Sequence, residues 1–134
     1  MKSFTNVDPK SLQETVSLLR ESRQGGEITS VVGGGSDLLG MIKEELVAPD
    51  VVVNLKNVEG LKGIESGSDG VRIGALVTID EVSAHPLIRS QYTVLAEAAE
   101  SIATPQIRNV GTVAGNVCQR PWCWYYREGF PCFK

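Results

Sequence analysis

What this chain lacks bounds what it can be. It has a single histidine, His85, beside a helix-ending proline and with no acidic or thiol neighbour, so His85 reads as structural. It has no excess of positive charge: the net charge is −3, which does not favour non-specific binding to nucleic acid or to an anionic membrane. No apolar run approaches a membrane span, and Met1–Asn6 carries no signal-peptide core. There is no internal repeat and no low-complexity linker, and 134 residues allow one domain with a real core but hardly two. Cysteine is missing from the first 117 residues; Cys118, Cys123 and Cys132 crowd into the tail. An odd count at one end argues against a stapling disulfide framework and for a local thiolate site, with ordinary free thiols as the plainer alternative.

The elements present alternate in type. Phe4–Val7 predicts a short strand, and Asp8-Pro9 predicts a helix start, with Asp8 as N-cap and Pro9 at the first helical position. Leu12, Val16 and Leu19 form its apolar stripe, and Gly25-Gly26 end it. A strand over 28–32, a helix from about Asp37 to Leu46 and a β-branched strand, Val51–Leu55, complete β-α-β-α-β. Segments 61–65 and 71–76 flank Ser66–Gly70 as a hairpin, and Thr78–Glu81 matches a capping box. His85-Pro86 ends that helix, and another is expected over roughly 92–103, its alanines suited to close packing. The fold class is α+β: a small mixed or parallel sheet with packed helices, plus a second small sheet.

The chain is organised around Val32-Gly33-Gly34-Gly35-Ser36-Asp37-Leu38, where a buried strand turns through glycines into a helix start. Such a turn exposes N–H groups that favour an anion such as a phosphate, and the missing Cβ atoms let it approach. It is not a P-loop, because no Gly-Lys-Ser/Thr follows; nor is it the dinucleotide fingerprint, because Leu38 stands where a third glycine is required. A tight turn without a ligand is the simpler alternative. A second loop, Gln106–Asn116, pairs Arg108 and Asn109 with the small residues Gly111, Thr112, Ala114 and Gly115. It suits closure over a ligand opposite the first turn, or a connection in which Arg108 makes a structural salt bridge.

These two stretches, about seventy residues apart, resemble the paired glycine motifs of the FAD-binding subunit of molybdenum hydroxylases, the family of xanthine dehydrogenases, carbon monoxide dehydrogenases and aldehyde oxidoreductases. The resemblance extends through Arg72–Thr78 and covers essentially the whole chain, with Gly33 and Ala114 where the family more often has Ala and Gly. It implies the N-terminal subdomain of the FAD-binding PCMH-type, vanillyl-alcohol-oxidase-like fold over 1–117. It also implies FAD held by Val32, Gly33, Gly34, Gly35, Ser36, Asp37, Leu38, Arg108, Asn109, Gly111, Thr112, Ala114, Gly115 and Asn116. An anionic Asp37 suits the helix cap or a ribityl hydroxyl better than a phosphate. The implied partners are a molybdenum cofactor-binding large subunit and a [2Fe–2S] small subunit, and no nucleic acid or membrane. The implied role is to pass electrons through FAD to an external acceptor. The expected compartment is cytoplasmic, unless a partner subunit exports the complex.

Residues 118–134 resemble the branch whose flavin subunit carries an extra [4Fe–4S] cluster in an inserted loop, with Cys123 and Cys132 matching ligands best and Cys118 less closely. A cluster needs four thiolates, so further ligands would lie past Lys134, and the chain reads as an N-terminal piece of a longer subunit. Two rivals remain at this level: a non-catalytic nucleotide- or metal-binding module, and a zinc-binding domain. The cysteine gaps of five and nine residues lack the tight CxxC pairs zinc prefers.

Overall fold

The computed structural model describes residues 2–131. Its first half is β1 (Thr5–Val7), α1 (Leu12–Gln24), β2 (Thr29–Val32), α2 (Leu38–Lys43) and β3 (Val51–Asn54). The three strands form one parallel sheet in the order β1-β3-β2, with Val7 and Val31 both opposite Val53. The β-branched run at 51–54 takes the central position for the reason its sequence suggests. A parallel strand covered on both faces must be apolar throughout, and Val52 and Val53 are buried.

One residue gathers the starts of all three strands. The Asp50 carboxylate accepts from the Ile28 N–H at 2.9 Å and from Lys2 Nζ at 2.5 Å. The Asp50 main chain donates to the Ile28 carbonyl at 2.7 Å and accepts from the Thr5 N–H at 2.9 Å.

Helix α1 departs from expectation twice. Its N-cap is Ser11, whose hydroxyl accepts from the Glu14 N–H at 3.2 Å. Asp8 is occupied by Asn6 Nδ2, and Glu14 accepts from the Lys10 N–H, so Ser11-x-x-Glu14 outcompetes Asp8-Pro9 as the helix start. The face turned inward is Thr15 and Ser22, while Leu12 and Val16 are exposed. The hydroxyls explain the choice. Thr15 Oγ1 bonds back to the Ser11 carbonyl, and Ser22 Oγ bonds to Glu27 and Thr29, so small satisfied groups seat the helix close to β2.

The second half begins with the expected hairpin, β4 (Ile64–Gly67) and β5 (Gly70–Ile73), antiparallel across a Ser68-Asp69 turn. Six short helices follow: α3 (Ile79–Ala84), α4 (Pro86–Gln91), α5 (Thr93–Ser101), α6 (Pro105–Arg108), α7 (Val113–Cys118) and α8 (Trp124–Arg127). The Thr78–Glu81 capping box forms in both directions: the Glu81 N–H donates to Thr78 Oγ1 at 3.1 Å, and the Thr78 N–H donates to the Glu81 carboxylate at 2.6 Å. Val77, Ile79, Val82, Ile88, Ala96 and Ala99 form the core here, with Ile64, Val71 and Ile73 of the hairpin packed against it. Of the alanines expected to pack closely, Ala96 and Ala99 do so, whereas Ala98 and Ala103 are exposed. Helix α4 lies beyond the stop that His85-Pro86 predicts. Pro86 instead starts a new helix, where its fixed φ and missing N–H carry no penalty.

The Lys2 and Ile28 contacts hold the Asp50 carboxyl below the usual carboxylate range. A carboxyl depressed in the folded state stabilises it above the unfolded pKa of about 4 and loses that contribution as pH falls through the folded value. Asp50→Asn should therefore be less stable than wild type at pH 7, and the gap should close progressively below about pH 4. Urea unfolding midpoints measured from pH 7 to pH 2 would check this.

Candidate functional site

The first glycine turn leaves the carboxyl end of β2. Gly35 takes φ +84°, where only glycine is unstrained, and its carbonyl accepts from the Leu39 N–H at 3.1 Å, which starts α2. Among the described residues, the N–H groups of Gly34, Gly35 and Ser36 donate to no other group of the chain. The second loop is built from α6 and α7. Thr104 caps α6, the Gly111 N–H closes its last turn on the Ile107 carbonyl at 2.7 Å, and buried Thr112 caps α7 through the Gly115 N–H at 3.2 Å. Two bonds fix this loop to the start of α3: Ile79 N–H to the Gly111 carbonyl, and Val113 N–H to the Val77 carbonyl, each 2.9 Å.

The loops touch each other directly. A Cβ added at Gly34 would stand 1.8 Å from the Val110 carbonyl oxygen, and one at Gly33 would stand 2.8 Å from Thr112 Oγ1. Gly34 thus serves a backbone crossing within the protein, and Gly33 makes room for the Thr112 side chain. The sequence offers two reasons for these glycines, an approaching phosphate and a tight turn, and neither includes a crossing with the second loop.

Between the loops lies a cleft of about 580 Å³. Of the residues expected to hold a cofactor, Val32, Gly33, Gly34, Gly35, Ser36, Asp37, Leu38, Arg108, Gly111, Thr112, Gly115 and Asn116 line it. Asn109 and Ala114 do not: Asn109 is the exposed C-cap of α6, and the Ala114 N–H is bound to the Ala75 carbonyl at 3.1 Å. The cleft also takes apolar walls that the sequence did not flag, from Met41, Ile79, Ile102 and Ile107, together with Ala103 at φ +45°. An alanine in the left-handed region costs about 1–2 kcal/mol.

Arg108 supports that strained turn. Its Nη1 donates to the Ile102 carbonyl at 2.9 Å and to the Ala103 carbonyl at 3.5 Å. It forms no ion pair among the described residues, so its structural role is a clamp on main-chain carbonyls in place of the salt bridge considered from sequence. Its Nε is buried without a partner. Asp37 does not cap α2: its backbone is already helical, and its carboxylate accepts from Arg127 Nη2 at 2.7 Å.

The tail reaches the same place. Cys118, Gln119, Arg120 and Trp122 line the cleft beside the glycine loops. Cys118 is an exposed free thiol, Cys123 is a half-buried free thiol at the N-cap of α8, and Cys132 lies outside the described residues. Among the described residues, no group of three His, Cys, Asp or Glu side chains is placed to hold a metal ion. His85 does not line the cleft. Among the described residues, no helix is long and apolar enough to cross a membrane.

Two glycine loops crossing at one open cleft, beside the carboxyl end of a parallel sheet, define a small nucleotide-site domain. Residues 2–121 match the FAD binding domain in molybdopterin dehydrogenase, and the chain belongs to that family. It is 37% identical over 117 residues to the nicotinate dehydrogenase FAD-subunit of Eubacterium barkeri, covering 87% of this chain and 39% of that protein. It is 38% identical over 105 residues to the aldehyde oxidoreductase FAD-binding subunit PaoB of Escherichia coli K12, covering 77% and 33%. Its fold superposes on carbon monoxide dehydrogenase from Hydrogenophaga pseudoflava with a TM-score of 0.80 and 32% identity, over 85% of this chain and 39% of the other. The chain therefore spans about two-fifths or less of the length of these relatives.

The loop crossing makes a testable distinction between neighbouring glycines. Gly34→Ala must move the Val110 peptide and should cost about 3 kcal/mol, whereas Gly35→Ala carries mainly the left-handed backbone penalty of about 1–2 kcal/mol. Urea denaturation of the two variants should rank them in that order, with amide shifts at 109–112 moving in the Gly34 variant.

Proposed function

We propose that this chain holds the diphosphate end of FAD between its two glycine loops, as part of the flavin subunit of a molybdenum hydroxylase-type oxidoreductase. The observation that carries the reading is the trio of unpaired N–H groups at Gly34, Gly35 and Ser36, three residues that line a cleft whose lining also includes Gly111 and Thr112 of the second loop. This donor set suits a diphosphate. The nearest carboxylate, Asp37, is tied to Arg127, and the apolar walls Ile79 and Ile102 suit the neighbouring parts of a dinucleotide. Ser36 can add a hydroxyl donor, and Arg108 keeps the Ile102–Ala103 wall in place.

The chemistry supplied by bound FAD is exchange of electrons singly on one side and in pairs on the other. The chain's own part is to bind and orient. The relatives' names, an FAD-subunit and a medium chain of dehydrogenases, support a place in a multi-subunit enzyme, and the rest of the proposed setting follows from the family resemblance. Electrons would arrive from iron–sulfur centres of a [2Fe–2S] small subunit, fed by a molybdenum cofactor-binding large subunit, and leave to an external acceptor in the cytoplasm. We divide the chain at 117/118, with the FAD-binding subdomain before and the start of an iron–sulfur loop after. In that loop Cys123 and Cys132, joined by Cys118, would contribute to a [4Fe–4S] cluster in a longer subunit. The cluster needs four thiolates, so these three cannot complete it.

Ser36→Asp tests the diphosphate site with little risk to folding, because Ser36 is exposed. Placing a like charge beside the N–H trio should weaken FAD binding at least about tenfold while leaving the melting temperature unchanged. Equilibrium dialysis of the full-length subunit with FAD, with ADP as competitor, measures it; wild-type affinity in the variant would remove the diphosphate from this turn. For the tail, Cys123→Ser in the full-length subunit should lose iron and labile sulfide but keep FAD.

A further inference from the structure

Arg127 lies ninety residues from Asp37 in sequence, yet its guanidinium reaches the glycine turn. The Arg127 side chain is only 9% exposed. It donates to Asp37 at 2.7 Å, stands 3.8 Å from Glu44, and stacks over the Trp122 ring at 3.9 Å from its centroid. Its Nε and Nη1 are buried and make no hydrogen bond. Trp122 and Asp37 both line the cleft, so the arginine is wedged between two pieces of the cleft wall. A long side chain is buried with two nitrogens that make no hydrogen bond, ion-paired at longer range with Glu44 and hydrogen-bonded to one carboxylate, Asp37. Its contribution must therefore lie in what it does to that carboxylate and to the segment that carries it.

Asp37 follows directly after the three unpaired N–H groups. An uncompensated carboxylate there opposes any anion that those groups attract. We propose that Arg127 is a positioning residue for the diphosphate. By pairing with Asp37 it cancels the charge that would repel the anion, and it straps the cysteine-bearing tail onto the cofactor loop. Anion binding and tail docking then strengthen each other, and the coupling is reciprocal. This rests on the FAD reading above.

The test is a cycle of Arg127→Gln, Asp37→Asn and the double variant in the full-length protein, with Arg127→Lys alongside. Two measurements are made: the dissociation constants of FAD and of ADP, and the rate of chymotryptic cleavage at the tail aromatics with and without ADP. Arg127→Gln should weaken FAD and ADP about tenfold, and Arg127→Lys much less. Asp37→Asn should suppress the loss, leaving the double variant within about twofold of Asp37→Asn alone. ADP should slow tail cleavage in wild type and not in Arg127→Gln. Additive losses in the double variant, or wild-type affinity in Arg127→Gln, would overturn this inference while leaving the FAD reading standing. A wild-type protein that binds neither FAD nor ADP would overturn the FAD reading, and this one with it.

Discussion

The contact on which the cleft depends is backbone against backbone: the Gly34 Cα beneath the Val110 carbonyl. Side chains set most distances between packed segments. Here there is none on one side, so the two loops approach to a separation no other residue permits. The relative placement of the two loops that line the cleft is set at that crossing. The first turn is carried there by β2, and the second is held by its bonds to Val77 and Ile79, in the well-packed core of the other half. The site is thus the seam between the parallel sheet and the helical half.

The sequence made some of this legible and concealed the rest for physical reasons. The central strand was readable because a doubly covered strand must be apolar at every position, and Val51–Val53 is. The Thr78–Glu81 cap was readable because it is local. The glycine motifs were readable as a pair, and twelve of the fourteen residues assigned to them line the cleft. Helix α1 misled because apolar periodicity assumes that the inner face is the apolar one. Hydroxyl groups that satisfy themselves locally, as Thr15 and Ser22 do, can face inward instead. Helix α4 is hidden because Pro86 reads as a stop although it suits a helix start, and α6 and α7 are hidden because Gln106–Asn116 reads as one loop of small residues, whereas Thr104 and Thr112 each cap a short helix there. The Arg127–Asp37 pair leaves no local pattern at all.

The tail changes how the first turn should be understood. A glycine turn ending in aspartate is a poor anion site by charge alone. The arginine that corrects it comes from beyond the second glycine loop, on the short helix α8 that Cys123 precedes as N-cap. Residues that look like an appendage in the sequence therefore share the electrostatics of the cleft.

The Asp50 clasp has a consequence for geometry at the opposite end of the sheet. Parallel strands with apolar side chains on both faces have little in their packing to forbid sliding by two residues, since each such step returns the same faces to the same sides. Asp50 removes that freedom, because its carboxylate holds the Ile28 N–H and its main chain bonds to both Ile28 and Thr5, so the strands on either side of β3 are pinned at their starts. With the starts indexed, the ends of β2 and β3 are indexed as well. The glycine turn is thereby delivered at a fixed height above the sheet, and a single carboxylate remote from the cleft acts as the ruler for its depth.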